Sequence, residues 1–165
     1  MLLKKFSHLD YDNDIEDEVV SNLVSSIAHC TNLSNLTLDL TKTQICADGA
    51  SMLCSILSKC TNISNLALYL SFNQMDAIYI SNLGSALAKS NNLSNLTLSL
   101  RYNKIGANGA SGLGSSLANF TNLSNLTLDL HCNKIGNEGI LGLGSGLKKC
   151  INLSNLMLIL RLKQI

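Results

Sequence analysis

The string TNLSNLTLDL at Thr31 returns as TNISNLALYL at Thr61, NNLSNLTLSL at Asn91, TNLSNLTLDL at Thr121 and INLSNLMLIL at Ile151, always 30 residues on and never with an insertion. A chain with a fixed period of this length folds as a stack of supersecondary units, each touching its neighbours. Residues 1–30 keep the same phase: Asn13, Ile15, Leu23, Ile27 and Cys30 precede Asn103, Ile105, Leu113, Leu117 and Phe120 by 90 positions. The expected organisation is one domain over 1–165 in about five and a half units. They are an atypical 1–30, then 31–60, 61–90, 91–120 and 121–150, and an incomplete 151–165.

Inside each unit the apolar period changes from two to 3.6, the mark of a strand followed by a helix. Leu96, Leu98 and Leu100 alternate with Thr97 and Ser99, giving a strand with one apolar face. Beyond Asn103, Ile105 and Gly106, the residues Ala110, Leu113 and Leu117 form one apolar helical stripe. Asp48, Asp76, Asn108, Asn137 and Glu138 near helix starts, and Lys59, Lys89, Lys148 and Lys149 near helix ends, suit the helix dipole. Glycines inside the helices cost roughly 1 kcal/mol each relative to alanine. The column Gly84, Gly114 and Gly144 is therefore expected where neighbouring helices come too close for a side chain.

The run Leu96-x-Leu98-x-Leu100-x-x-Asn103-x-Ile105-Gly106, followed by Gly109, Leu113 and Leu117, resembles a leucine-rich repeat of the ribonuclease-inhibitor-like subclass. The resemblance covers nearly the whole chain. It implies an α/β leucine-rich-repeat solenoid (a horseshoe), with a parallel concave β-sheet and convex α-helices. It also implies an asparagine ladder that bonds to neighbouring backbone where the chain leaves each strand. The matching positions are Asn13, Asn73, Asn103 and Asn133, while Thr43 and Lys163 depart from the pattern. The ladder is expected to be weak in the second unit and absent at the C-terminus. The period exceeds the family's usual length of about 20–29 residues by one extra Leu-x pair.

Composition narrows the function. Apolar residues make up 46% of the chain and charged ones 14%, with no Pro or Trp, which suits a uniform leucine interior. A net charge of +1 gives no clustered basic face for nucleic acid. The charge is nevertheless uneven: residues 1–30 hold two lysines and six acids, −4, leaving +5 elsewhere. No apolar run approaches the ~20 residues of a membrane span, and the start has no signal-like apolar stretch. A cytoplasmic or otherwise intracellular protein is expected, with Cys30, Cys60 and Cys150 as packing residues in one repeated position.

Sites for chemistry are not expected. Asp10, Asp12, Asp14 and Glu16 imitate a calcium loop, but its sixth position is Ile15 and its twelfth Ser21. Cysteines lack paired spacing and His8, His29 and His131 lie in different units, which argues against zinc. Cys132 beside His131 is read as structural. We therefore expect no catalytic residues, no metal and no cofactor.

Because the leucine columns build the core, information for a partner must lie in exposed columns that vary. These columns are Thr37/Ala67/Thr97/Thr127/Met157, Asp39/Tyr69/Ser99/Asp129/Ile159 and Thr41/Ser71/Arg101/His131/Arg161, with Lys42/Phe72/Tyr102/Cys132/Leu162 at the rim. Tyr and Arg dominate interface hot spots. The expected partner-binding residues on the concave face are Asp39, Tyr69, Arg101, Tyr102, Asp129, His131 and Arg161. The expected function is a non-enzymatic protein–protein interaction or scaffold module within a larger intracellular assembly. A regulatory inhibitor or GTPase activator of the same repeat class is the alternative. Head-to-tail self-association, or a subunit over the C-terminal end at Leu156, Leu158 and Leu160, is the expected use of the ends; no membrane or nucleic-acid partner is expected.

Overall fold

The computed structural model describes residues 5–6, 27, 32–45 and 47–160. Strands β1 (Lys5–Phe6), β2 (Asn35–Asp39), β3 (Asn65–Tyr69), β4 (Asn95–Ser99), β5 (Asn125–Asp129) and β6 (Asn155–Ile159) alternate with helices. The described helices are α1 (Ala47–Leu57), α2 (Ala77–Leu87), α3 (Gly106–Leu117) and α4 (Gly136–Leu147). All strands are parallel in a single sheet, in chain order from β1 to β6. From β2 to β6, strand, helix and the next parallel strand recur without interruption, so the chain forms an open α/β leucine-rich-repeat solenoid.

Registry is set by the repeat. From β2 to β6 each residue pairs with its equivalent 30 positions on, as in Asn35↔Asn65 and Leu98↔Leu128. The first pair departs from this phase: Lys5 faces Thr37, an offset of 32. A slip of two residues matches the period of the pleat, so the backbone pairing of a parallel ladder is kept. Of the N-terminal residues aligned by phase, Ile27 is buried in the core, while Asn13, Ile15, Leu23 and Cys30 lie outside the described residues.

The core is a leucine stack. Leu66, Leu68 and Leu70, with their equivalents Leu96, Leu98 and Leu100, are almost wholly buried, and the helices contribute Leu83, Leu113 and Leu143. Backbone between the elements is tied by asparagine. Asn73, Asn103 and Asn133 are buried, and each Nδ2 donates to the carbonyl of its own strand and of the preceding one: Leu70 and Leu40, Leu100 and Leu70, Leu130 and Leu100. Their Oδ1 atoms accept the backbone N–H of Ile45, Met75 and Ile105 one unit earlier. Thr43 fills the second-unit position, and its Oγ1 reaches the Leu40 carbonyl of its own strand at 2.8 Å. The ladder thus continues there with one hydroxyl in place of a forked amide; Asn13 and Lys163 lie outside the described residues.

Two further amide ladders accompany it. Asn65, Asn95, Asn125 and Asn155 each donate to the Oδ1 of the equivalent asparagine one strand back, at 2.5–2.6 Å. Asn92, Asn122 and Asn152 donate to the carbonyls of Thr61, Asn91 and Thr121. Three repeated columns, at unit positions 2, 5 and 13, therefore account for most of the asparagine in the sequence.

Helix spacing follows small residues. A side chain at Gly114 would meet Gly142 O at 2.5 Å and one at Gly109 would meet Ala77 Cα at 2.9 Å, so α2, α3 and α4 pack backbone against backbone, while Gly84 makes room for the Ser116 side chain at 2.7 Å. Gly144, third in the column, lies in the last described helix, and a Cβ there would meet nothing within 4 Å. The α1–α2 pair is different. Tyr79 stands where the following units have Gly109 and Gly139, each within 2.9 Å of the preceding helix backbone if given a Cβ. The tyrosine ring holds α2 away from α1 and leaves a cavity of about 400 Å³ lined by Ile45, Ala50, Cys54, Met75 and Ile78. Asp76 still caps α2 by accepting the Tyr79 N–H at 2.9 Å.

The Tyr79 hydroxyl is buried with no hydrogen-bond partner. An unpaired buried donor costs about 1–3 kcal/mol. Tyr79→Phe, which keeps the ring and removes that hydroxyl, is expected to raise stability by roughly 1 kcal/mol in urea denaturation. A decrease would mean that the hydroxyl is satisfied in solution.

Candidate functional site

Each unit leaves its strand by the same tight turn. Leu40, Leu70 and Leu100 still donate across the sheet, to the carbonyls of Tyr69, Ser99 and Asp129. Two residues later Lys42, Phe72 and Tyr102 donate to Ser71, Arg101 and His131. Lys42, Phe72, Tyr102 and Cys132 adopt φ of 52–59° here, while the next residue, Thr43 or an asparagine, turns inward. This left-handed conformation costs a non-glycine residue roughly 1–2 kcal/mol, and the adjoining ladder holds it in place. Its consequence is direction: the side chains of this column stand outward at the ends of the strands.

There they form a ridge. The rings of Phe72 and Tyr102 stack at 4.4 Å with an interplanar angle of 13°, although both residues remain more than 40% exposed. The Lys42 ammonium closes one end, 5.2 Å from the centre of Phe72. His131 meets Tyr102 edge-on at 5.3 Å, and the Arg101 guanidinium lies 5.8 Å from the same ring. Stacked aromatic pairs contribute about 0.5–1.5 kcal/mol beyond burial, so the ridge is ordered before any partner arrives.

Of the residues expected on the partner face, the structure gathers Arg101, Tyr102, Asp129 and His131. Arg101 Nε lies 3.5 Å from Asp129 Oδ2 across neighbouring strands, and Asp129 Oδ1 accepts the His131 N–H at 3.0 Å. With Arg101 largely exposed, the ion pair orients the guanidinium more than it stabilises the fold. Tyr69 is exposed on the strand face beside this group. Asp39 is not brought into it: its carboxylate accepts the Thr41 N–H at 3.1 Å within its own turn. Arg161 lies outside the described residues. Phe72, expected only at the rim, is the centre of the ridge. The sequence signal was its column, Lys42, Phe72, Tyr102, Cys132 and Leu162, the most varied large side chains in the repeat.

The remaining reactive groups are packing residues. Burial pushes the Cys54 thiol up to about 11 and raises Cys150 as well. Tyr79 is raised well above the usual phenol range by the same desolvation. Cys132 and His131 both follow β5 in the turn, and His131 is turned toward Tyr102. Among the described residues no three His, Cys, Asp or Glu groups stand close enough to hold a metal, and no helix is long and apolar enough to cross a membrane.

Repeated strands, full helices and an inward asparagine at the exits of β3, β4 and β5 give the chain the architecture of a leucine-rich-repeat solenoid. A model described as "Leucine Rich repeat" matches residues 92–114 and 122–144. Among solved structures, one titled "Leiomodin-1 Actin-Binding Site 2 (ABS2)" superposes with a TM-score of 0.65 at 16% identity, over 91% of this chain and 82% of that one. No curated protein matches in sequence.

Proposed function

We propose that this protein is a non-enzymatic interaction module of the ribonuclease-inhibitor-like kind, which docks a protein partner on the ridge and the adjoining strand face. The subclass reading is supported by full helices of 11 or 12 residues between the strands. The observation that carries the function is the pair Phe72–Tyr102: two large aromatic rings held in a costly backbone conformation, outside a core that has no structural need of them. Aromatics fixed in this way lose little entropy on binding and are typical anchors. The strand face alone measures roughly 20 by 17 Å, below the ~800 Å² per side of a standard interface. The ridge supplies the missing area along one edge. An intracellular scaffold role agrees with thiols buried as packing groups at Cys54 and Cys150.

The test is capture of partners from a lysate by wild type and by Phe72→Ala/Tyr102→Ala, with purified actin added as one defined candidate because a protein of similar fold carries an actin-binding site. Truncating two anchors is expected to weaken binding about 50-fold or more with unfolding unchanged. A partner held equally by both proteins would move the site elsewhere.

A further inference from the structure

Resting on that reading of the ridge, we infer its ligand chemistry: the geometry points to an acidic, extended segment of a partner protein laid along the solenoid axis across the strand exits. The rings themselves indicate the sign of charge. Their faces are already covered, by each other at 4.4 Å, by Lys42 over Phe72 at 5.2 Å and by Arg101 over Tyr102 at 5.8 Å. Solvent therefore meets ring edges, where the aromatic quadrupole is positive, and not the negative faces that would take a cation.

The surrounding charges agree. Among the described residues, strands β2 to β6 and the turns that leave them hold four cations, Lys42, Arg101, Lys104 and Lys134, and three acids, Asp39, Asp76 and Asp129. All three carboxylates are engaged locally, Asp39 by the Thr41 N–H, Asp76 by the Tyr79 N–H at the start of α2, and Asp129 by the His131 N–H and Arg101. Lys104 Nζ donates to Gln74 Oε1 at 3.0 Å on the exposed side, which leaves an ammonium further donors for an anion. Lys42 and Lys134 lie three strand steps apart, roughly 14 Å. About four or five extended residues span that distance, so one short segment reaches the whole row. Because the column is held at positive φ by its backbone bonds, the row is rigid and needs no rearrangement on binding.

The experiment measures fluorescence anisotropy of a short labelled peptide of alternating Glu and Ser, beside its Gln–Ser and Lys–Ser counterparts, on the whole chain at low and high ionic strength. The Glu peptide is expected to bind at least about tenfold more tightly than the Gln peptide, with the preference shrinking as salt rises. The quadruple variant Lys42→Gln/Arg101→Gln/Lys104→Gln/Lys134→Gln is expected to abolish that preference, while Lys89→Gln/Lys148→Gln on the helical side leaves it unchanged. Equal binding of the Glu and Gln peptides, retention of the preference by the quadruple variant, or tighter binding of a single-stranded oligonucleotide through the same residues would each overturn the inference. Loss of a lysate partner in Phe72→Ala/Tyr102→Ala without any Glu preference would retain the ridge as the interface and reject only its acidic ligand.

Discussion

Asn103→Ala is expected to destabilise the protein by roughly 3–4 kcal/mol. The amide is buried, and its Nδ2 serves the carbonyls of Leu70, Leu100 and Arg101 while Oδ1 accepts the Met75 N–H at 3.1 Å. Removing it orphans backbone groups in two consecutive units, and each unpaired buried group costs about 1–3 kcal/mol. In thermal unfolding the loss corresponds to a Tm drop of about 10 °C for a chain of this size. Asn103→Thr is expected to cost less than alanine, because Thr43 already shows a hydroxyl reaching the carbonyl of its own strand. The same asparagine follows Tyr102 directly, so hydrogen exchange at Met75 and Tyr102 is expected to accelerate together. An alanine variant as stable as wild type would mean that water replaces the ladder without cost.

The second large effect separates two glycines of one helix. Gly146→Ala is expected to destabilise by roughly 3 kcal/mol, because a Cβ there would overlap the Gly114 carbonyl and the only relief is to push α4 away from α3. Gly144→Ala lies two residues earlier, faces open space and is expected to stabilise by about 0.5–1 kcal/mol through helix propensity. Opposite signs at neighbouring positions exclude a general intolerance of α4 to alanine. Parallel urea titrations of the two variants check this, and a stable Gly146→Ala would show that the helices are not in backbone contact.

Much of the fold was legible because the repeat displays its columns side by side. Leu96, Leu98 and Leu100 alternate with polar residues, and Leu113 recurs in every unit, so strand, helix and burial follow from periodicity. The asparagine before Ile105 could be assigned by resemblance. The columns of Asn35 and Asn92 are equally regular, yet nothing in the sequence marks them as ladders, since an exposed polar column looks the same whether or not its members bond to one another. The site was only partly legible for a related reason. Variability and chemistry single out Tyr102, Arg101, Asp129 and His131, but nothing in spacing says that Asp39 is spent on its own turn. Nor does it say that Phe72 leads the ridge.

The sequence by itself determined the parallel stack, its 30-residue registry and the leucine core, because these are one-dimensional properties: a period and an alternation dictate which faces must be buried. Tertiary structure alone decided three things. The left-handed φ at Phe72 and Tyr102 turned a rim into an outward aromatic ridge. Contact between helices made Gly114 and Gly146 indispensable while leaving Gly144 open. Tyr79, in place of a glycine, parted α1 from α2 and opened a cavity. Each depends on the distance between atoms of different units, a quantity set by close packing in three dimensions that no periodicity encodes.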